Sequence, residues 1–490
     1  MPISEKSVTQ RLEEYIRNWI KELEPKQFAT GPVVENTGVS LAVISDNKVT
    51  LKIGAGYLDR ETQSLVTPET VFPIASITKS FTAAALLKAL QSVRQSGPDI
   101  SVREVDPKFK LSSEKVTNDA NYVDLLSHRT GFPRHDSLWA RAYLEADEIY
   151  RRFPSLEMNP IDGSGFGETF QYNNLLYGLC GKSVTTLTGR DWHEYIETEF
   201  LKPLKMVGTW SEFVRVPGKC TLAKPYFRNR RSQFFERWTV APAASMFSTA
   251  ESLAHWLIFQ MNRGNHDGDQ IIPEDYFDNW LWNPWNDARG SPESSHSFSM
   301  TSYGLGWFVD NFLGDRLIHH IGSINGLSAM ASFMPERKVG VVVLVNQVQS
   351  ELPKLLTKAI LGHLLGATKL PEEQFQLPSI FSPETIMPVF EEGPVLPDTT
   401  PGVHWPNSAL WTYRHPGYGE LSVSKKGDHL EFKYGHEQWL ATAISDCEAI
   451  AETLLIGMPA RMRILRDGSK IEIPFNFYPG NSRTVFGKLG

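Results

Sequence analysis

Three short groups of residues carry side chains that could do acyl chemistry. The first is Ser76-Ile77-Thr78-Lys79, which opens the helix-forming run TKSFTAAALLKAL. Residues three apart share one face of a helix, so the Ser76 hydroxyl and the Lys79 amine can meet. A serine hydroxyl is a weak nucleophile until a neighbouring base takes its proton, and a partly desolvated lysine can be that base. A helix start also offers free amide groups and a positive dipole end to a substrate oxygen that gains negative charge. By itself Ser-x-x-Lys is a weak signal, and an ordinary helix start is its plainer reading. The second group, Tyr172-Asn173-Asn174, precedes the apolar run LLYGLCG, where Asn174 also reads as a helix cap. The third, His320-Ile321-Gly322, precedes a small-residue turn and a strand.

In this order and separation, Ser-x-x-Lys, Tyr-x-Asn and His-x-Gly resemble the three motifs of class C β-lactamases, D,D-peptidases and their esterase relatives. The stretches DLLSHRTGFPRHD, PAASMFSTAESLAHWL, SYGLGWFV and FMPERKVGVVVLVN extend the resemblance over residues 35–365. It implies that Ser76 attacks a carbonyl to form an acyl-enzyme while Lys79 and Tyr172 share the acid–base work. It leaves open which of the two first takes the serine proton. It further implies an oxyanion hole built from the backbone amides of Ser76 and of Ser323, just after Gly322, with Asn174 orienting a substrate amide or the lysine.

His320 stands where the penicillin-hydrolysing members carry lysine. A lysine there is a fixed cation suited to a substrate carboxylate, whereas histidine is largely neutral near pH 7 and can donate or accept. His-x-Gly looks like the esterase, D-aminopeptidase and acyltransferase branches. The expectation is a serine hydrolase acting on an ester, lactone or amide/lactam bond of a small molecule or peptide, with neutral substrates preferred to penicillins. The same residues would serve an acyltransferase, transesterase or peptide cyclase of secondary metabolism, and some relatives are non-catalytic assembly proteins.

Other conspicuous residues have plainer readings. His128, in Ser127-His128-Arg129-Thr130-Gly131, is expected to be structural, and His319 points to the opposite face from His320 if the segment is a strand. Asn265-His266-Asp267-Gly268-Asp269 lacks the spacing of a calcium loop or zinc site and reads as a hydrophilic turn, so no metal or cofactor is assigned. Trp280, Trp282 and Trp285 either line an acyl pocket or pack an insertion.

The elements that must position these residues follow from patterning. VSLAVIS (Val39 to Ser45), Asp46-Asn47 and KVTLKIGAGY read as strand, turn, strand, and MASFMPERKVGVVVLVNQ repeats the arrangement. Helical segments lie between, at Ser80 to Gln91, Leu175 to Leu187 and Thr249 to Met261. Strands at both ends with helices between predict an α+β fold of the β-lactamase/transpeptidase kind, an antiparallel sheet flanked by helices, over residues 1–370. Val8, Leu12, Tyr15, Ile16, Trp19, Ile20 and Leu23 follow helical spacing and predict an amphipathic packing helix. Eight prolines between 371 and 406 predict an extended linker over 371–405. Beyond it, residues 406–490 alternate around a Lys-Gly-Asp turn and again around Asp467-Gly468, which predicts a small antiparallel β-barrel or sandwich. YRHPGYGELSV resembles the lipocalin-like β domain that follows the catalytic domain in some relatives. Such a domain would cover the active site or serve as a packing or dimerisation module.

The 490 residues are 41% apolar and 21% charged, enough for a large core. A formal charge of −7 gives no electrostatic reason to bind nucleic acid, and Arg228, Arg230 and Arg231 form only a short cluster that reads as a solvated loop and not an anion site. No signal-peptide core and no apolar run of membrane-spanning length is present, so no membrane partner is expected. Cys180, Cys220 and Cys447 are odd in number and far apart, which argues against a disulfide framework and favours a reducing, cytoplasmic setting. The expected partner is a small-molecule or peptide acyl substrate.

Overall fold

The structure is a computed structural model. It describes residues 37–366 except 141–143, 159–165, 228–229, 233–237, 290–299, 325 and 348–349, most of 405–489, and a few residues before 37. The segment expected to be a linker, 371–405, lies outside the described residues except for Trp405, and so does Cys447. Among the described residues no helix is long and apolar enough to cross a membrane.

The elements that matter for the site are, in chain order, β1 (Val39–Ser45), β2 (Lys48–Ala55), α1 (Thr78–Arg94), α2 (Asn174–Thr188) and α3 (Ala250–Met261). They continue with β3 (Asn286–Asp287), β4 (Ser302–Tyr303), β5 (Phe308–Phe312), β6 (Asp315–Ile324), β7 (Leu327–Met334), β8 (Val339–Val345) and α4 (Leu352–Leu364). The eight strands form one antiparallel sheet in the order β3-β4-β5-β6-β7-β8-β1-β2. This is the expected α+β fold with helices against the sheet.

The burial of each strand follows from its place. β7 and β8 are buried along their whole length because both faces of the sheet are covered, whereas the edge strand β2 alternates with solvent. Alternation then sorts side chains between two layers. Ala42, Ile44, Ala329, Ala331, Val342 and Leu344 face the layer that contains α1, α2 and α3. Val39, Leu41, Val43, Met330, Val341 and Val343 face Leu352, Leu356 and Ile360 of α4. Of the expected N-terminal helix only Glu13, Glu14, Ile16 and Arg17 are described; they are helical, and Ile16 is buried in this second layer.

Joining the first strands to the last requires a polar clasp at the end of β8. Asn346, fully buried, accepts from Gly38 N at 2.7 Å and donates to Tyr57 O at 2.9 Å and Leu58 O at 3.2 Å. One side chain thus partners Gly38 N and Tyr57 O and adds to Leu58 O, which also accepts from Lys224 N at 2.8 Å.

The C-terminal region forms eight further strands, β9 (Trp411–His415), β10 (Gly419–Lys426), β11 (His429–Tyr434), β12 (Glu437–Ala443), β13 (Glu448–Glu452), β14 (Pro459–Leu465), β15 (Lys470–Ile473) and β16 (Thr484–Lys488). They pair in sequence order, and β16 returns to β9, so the result is a closed barrel, not a sandwich. Closure removes both sheet edges. Tyr413, Leu421, Val423, Phe432, Met462, Ile464, Ile471 and Phe486 are buried apolar residues of its core.

Asn346→Ala strips Gly38 N and Tyr57 O of this partner, while Leu58 O keeps Lys224 N, and each buried group left unpaired costs about 1–3 kcal/mol. The expected loss of stability is about 2 kcal/mol or more, measured by denaturant or thermal unfolding. A variant as stable as the wild type would show that the clasp is dispensable.

Candidate active site

Ser76 sits in a single 3-10 turn, Ala75–Ile77, that runs directly into α1. Its neighbours on both sides are buried, and Ser76 alone in this stretch is partly open to solvent. Ala75 holds φ at +45°, a left-handed value that costs an L-residue energy and turns the chain sharply before the serine. β6 is held close against this turn by Gly322, where a Cβ would stand 2.3 Å from Ile74 O. Gly322 therefore has a steric reason to be glycine, and the following Ser323 is exposed on the strand beside the Ser76 turn.

Lys79 is completely buried. Its Nζ lies 3.1 Å from Ser76 Oγ, 2.7 Å from Asn174 Oδ1 and 3.0 Å from Ala243 O. It also lies over the rings of Tyr172, at 4.6 Å, and Tyr177, at 5.4 Å. The orientation of the Asn174 amide follows from its other side, where Nδ2 donates to Asp136 Oδ1 at 3.3 Å. Asn174 Oδ1 and Ala243 O can only accept. An ammonium thus satisfies all three of its protons, and a neutral amine keeps two on these acceptors and turns its lone pair to the Ser76 hydroxyl.

Asn173 and Asn174 divide two tasks. Asn173 is the cap of α2, accepting from Leu176 N at 2.9 Å, while its own amide donates to Phe132 O and Pro133 O. Asn174 is therefore not the cap, and its side chain faces Lys79. Tyr172 is buried with its ring between His128, 4.3 Å away centroid to centroid, and the cations of Lys79 and Arg134, the latter 5.1 Å from the ring centre.

His320 is near the other members of the site, its ring centroid 6.4 Å from that of Tyr172, but it is fully buried. Its Nδ1 lies 2.6 Å from Ile321 O, which only accepts, so Nδ1 carries the proton. Nε2 must then accept, and the Tyr303 hydroxyl donates to it at 2.9 Å. Burial, then the Lys79 charge, holds His320 well below the usual imidazole range, so it is neutral. This is the position at which a carboxylate-binding lysine would stand in the penicillin-hydrolysing members. Both ring nitrogens are engaged and the ring is buried. His319 points the opposite way, as alternation requires, into a buried pair with Asp310 at 2.6 Å.

Several residues that line or support the site carried no motif signal. Ala243 supplies an acceptor to Lys79 through its backbone, to which residue type is blind. Asp136, fully buried, joins Asn174 to Arg134 Nε at 2.6 Å and Trp139 Nε1 at 2.9 Å. His128 is structural, as expected: its Nδ1 accepts from Asn173 N at 3.1 Å, and its ring is enclosed by Phe170, Tyr172, Tyr177 and Tyr303. The tryptophans pack the insertion. Trp280 stacks on Trp285, Arg129 covers Trp285, and Trp282 is buried with Arg263 and Arg316 each 5.4 Å from its ring centre. The Asn265 segment is a short hairpin, and Arg231 pairs with Glu61, while Arg228 lies outside the described residues.

Comparison with known proteins places this arrangement in context. A family model described as Beta-lactamase matches residues 31–364. Protein flp of Staphylococcus aureus (strain COL) is 27% identical over 338 residues, covering 65% of this chain. This chain spans 61% of the length of that relative. The unguisins hydrolase ungD' of Aspergillus campestris (strain IBT 28561) is 27% identical over 417 residues, 79% of this chain and 74% of that one. The octameric penicillin-binding protein homologue from Pyrococcus abyssi superposes over 98% of this chain and all of its own, at 22% identity and a TM-score of 0.60. SurE does so over 98% of this chain and 99% of its own, at 18% identity and a TM-score of 0.55. These structural likenesses establish a shared fold.

Three buried histidines make stability depend on pH. Burial and the Lys79 charge depress His128 and His320, and burial pushes His135 down to about 3. Unfolded, each takes up a proton near pH 6.5 that the folded chain refuses, so their contribution is complete above 6.5 and is lost as pH falls. The slope is about 1.4 kcal/mol per pH unit for each such proton. Unfolding free energy should therefore fall steeply between pH 6.5 and 5, and His135→Asn should reduce that slope by about one proton. A flat profile over this window would contradict neutral, buried histidines.

Proposed function

From the premise that the chain belongs to the Beta-lactamase family, we propose that it is a serine hydrolase working through an acyl-Ser76 intermediate on a neutral ester, lactone or amide of a small molecule or peptide. The observation that carries this reading is the 3.1 Å contact of Lys79 Nζ with Ser76 Oγ, in which the other two Lys79 partners can only accept.

Neutral Lys79 takes the Ser76 proton as Oγ bonds to the substrate carbonyl carbon. The ammonium so formed is already solvated by Asn174 and Ala243. The Ser76 and Ser323 amides receive the developing oxyanion. Tyr172, against Lys79, passes a proton to the leaving group, and water then repeats the sequence in reverse to release the acid. The unguisins hydrolase of Aspergillus campestris supports hydrolysis as the outcome.

The charges around Ser76 support the preference for neutral substrates. Lys79 is held by three partners, Arg134 is paired with buried Asp136, and His320 is neutral. None of these three offers a cation to a penicillin carboxylate.

The test combines a panel of nitrophenyl esters, lactones, amides and benzylpenicillin with labelling by a fluorophosphonate. The wild type should be labelled and should turn over a neutral ester with a higher kcat/KM than benzylpenicillin. Ser76→Ala should lose labelling and about three or more orders of magnitude of turnover while keeping its melting temperature. Wild-type turnover in Ser76→Ala would refute the assignment. Faster turnover of benzylpenicillin than of every neutral ester would refute the substrate class. Transfer of the acyl group to an added alcohol or amine in preference to water would make the protein an acyltransferase.

A further inference from the structure

The turn between β9 and β10 leaves the barrel and enters the catalytic unit. Tyr418 is buried there, and its hydroxyl lies 2.7 Å from His135 Nδ1. The other ring nitrogen, Nε2, lies 3.2 Å from Glu157 O, which only accepts, so Nε2 carries the proton and Tyr418 is the donor to Nδ1. The turn is shaped for this approach. Its Gly417 would drive a Cβ to 2.4 Å from Leu156 Cδ2 and 2.9 Å from Ser155 O, Arg152 donates to Gly417 O, and the His415 imidazole accepts from Gly417 N and Tyr418 N.

His135 in turn adopts φ +45°, a left-handed value that a non-glycine residue holds only when its surroundings compel it. The next residue is Asp136, whose carboxylate bonds Asn174, and Asn174 accepts from Lys79. An unbroken line of contacts therefore runs from the barrel through Tyr418, His135, Asp136 and Asn174 to Lys79.

We propose that the C-terminal barrel sets the rate of Ser76 acylation, with Tyr418 and His135 as positioning residues that hold Asp136 and Asn174 so that Lys79 is aimed at Ser76. The inference rests on the reading of Ser76 and Lys79 as the catalytic pair. Small displacements of a catalytic base carry large rate costs, and a base held through a chain of contacts inherits the precision of each. Because the chain ends on Lys79 and not on a substrate pocket, its loss lowers kcat and leaves KM nearly unchanged.

The experiment uses the full chain with 4-nitrophenyl acetate as substrate and the fluorophosphonate as active-site label. Tyr418→Phe keeps the ring and removes the donor; its kcat and labelling rate should fall about tenfold with KM changed less than about twofold. His135→Ala should match it. His135→Asn should recover most of the loss, because an asparagine oxygen can accept from Tyr418 near the Nδ1 position and asparagine tolerates a left-handed backbone. Wild-type kcat in Tyr418→Phe would overturn the proposal while leaving Ser76 labelling intact. A loss carried by KM would overturn it in favour of a barrel that shapes substrate binding, as would a His135→Asn variant no faster than His135→Ala. Failure of the wild type to label at all would instead bring down the reading of Ser76, and the proposal with it.

Discussion

The arrangement depends on one buried lysine. Taking a lysine charge out of water costs several kcal/mol even after relaxation, and it is tolerated only where every proton finds an acceptor. Lys79 finds them on three different elements: the turn that carries Ser76, the start of α2 that carries Asn174, and the short Ala241–Ala244 helix that carries the Ala243 carbonyl. Two of these acceptors cannot reverse their role, and the third, the Ser76 hydroxyl, can also donate. The proposed activation of Ser76 uses the same contact, with the amine neutral and its lone pair turned to the hydroxyl.

Much of the surrounding structure keeps those three elements in register. The sheet presses β6 against the Ser76 turn at Gly322, and the buried faces of α1 and α2 bring Lys79 and Asn174 together. His320 and His128 fill the space beneath as neutral rings, each donating or accepting with a defined nitrogen. Their neutrality follows first from burial and then from the nearby lysine, whose charge would repel a second cation.

The large elements were legible because burial writes them into local pattern. The apolar run of β8, the alternation of the strand pairs and the helical segments at α1, α2 and α3 all lie where the residues predicted them. Ser76 and Lys79 were legible because three residues of helix suffice to bring them together. The remainder depends on distant chain. Which of Asn173 and Asn174 caps the helix is decided by Phe132 and Pro133 on one side and Lys79 on the other. His320 and His319 must face opposite ways, but that both faces are sealed depends on Tyr303 and Asp310. Barrel closure rests on β16 pairing with β9 across some seventy residues, and the contact of Tyr418 with His135 spans 283 positions. No local period records such pairings.

The most direct measurement is mass spectrometry of the intact protein and its peptides, quenched within the first turnover of a nitrophenyl ester. The account predicts one acyl group on the peptide that contains Ser76 in the wild type, and none on the same timescale in folded Lys79→Ala. An acyl group on any other residue, or acylation of Lys79→Ala at the wild-type rate, would contradict it.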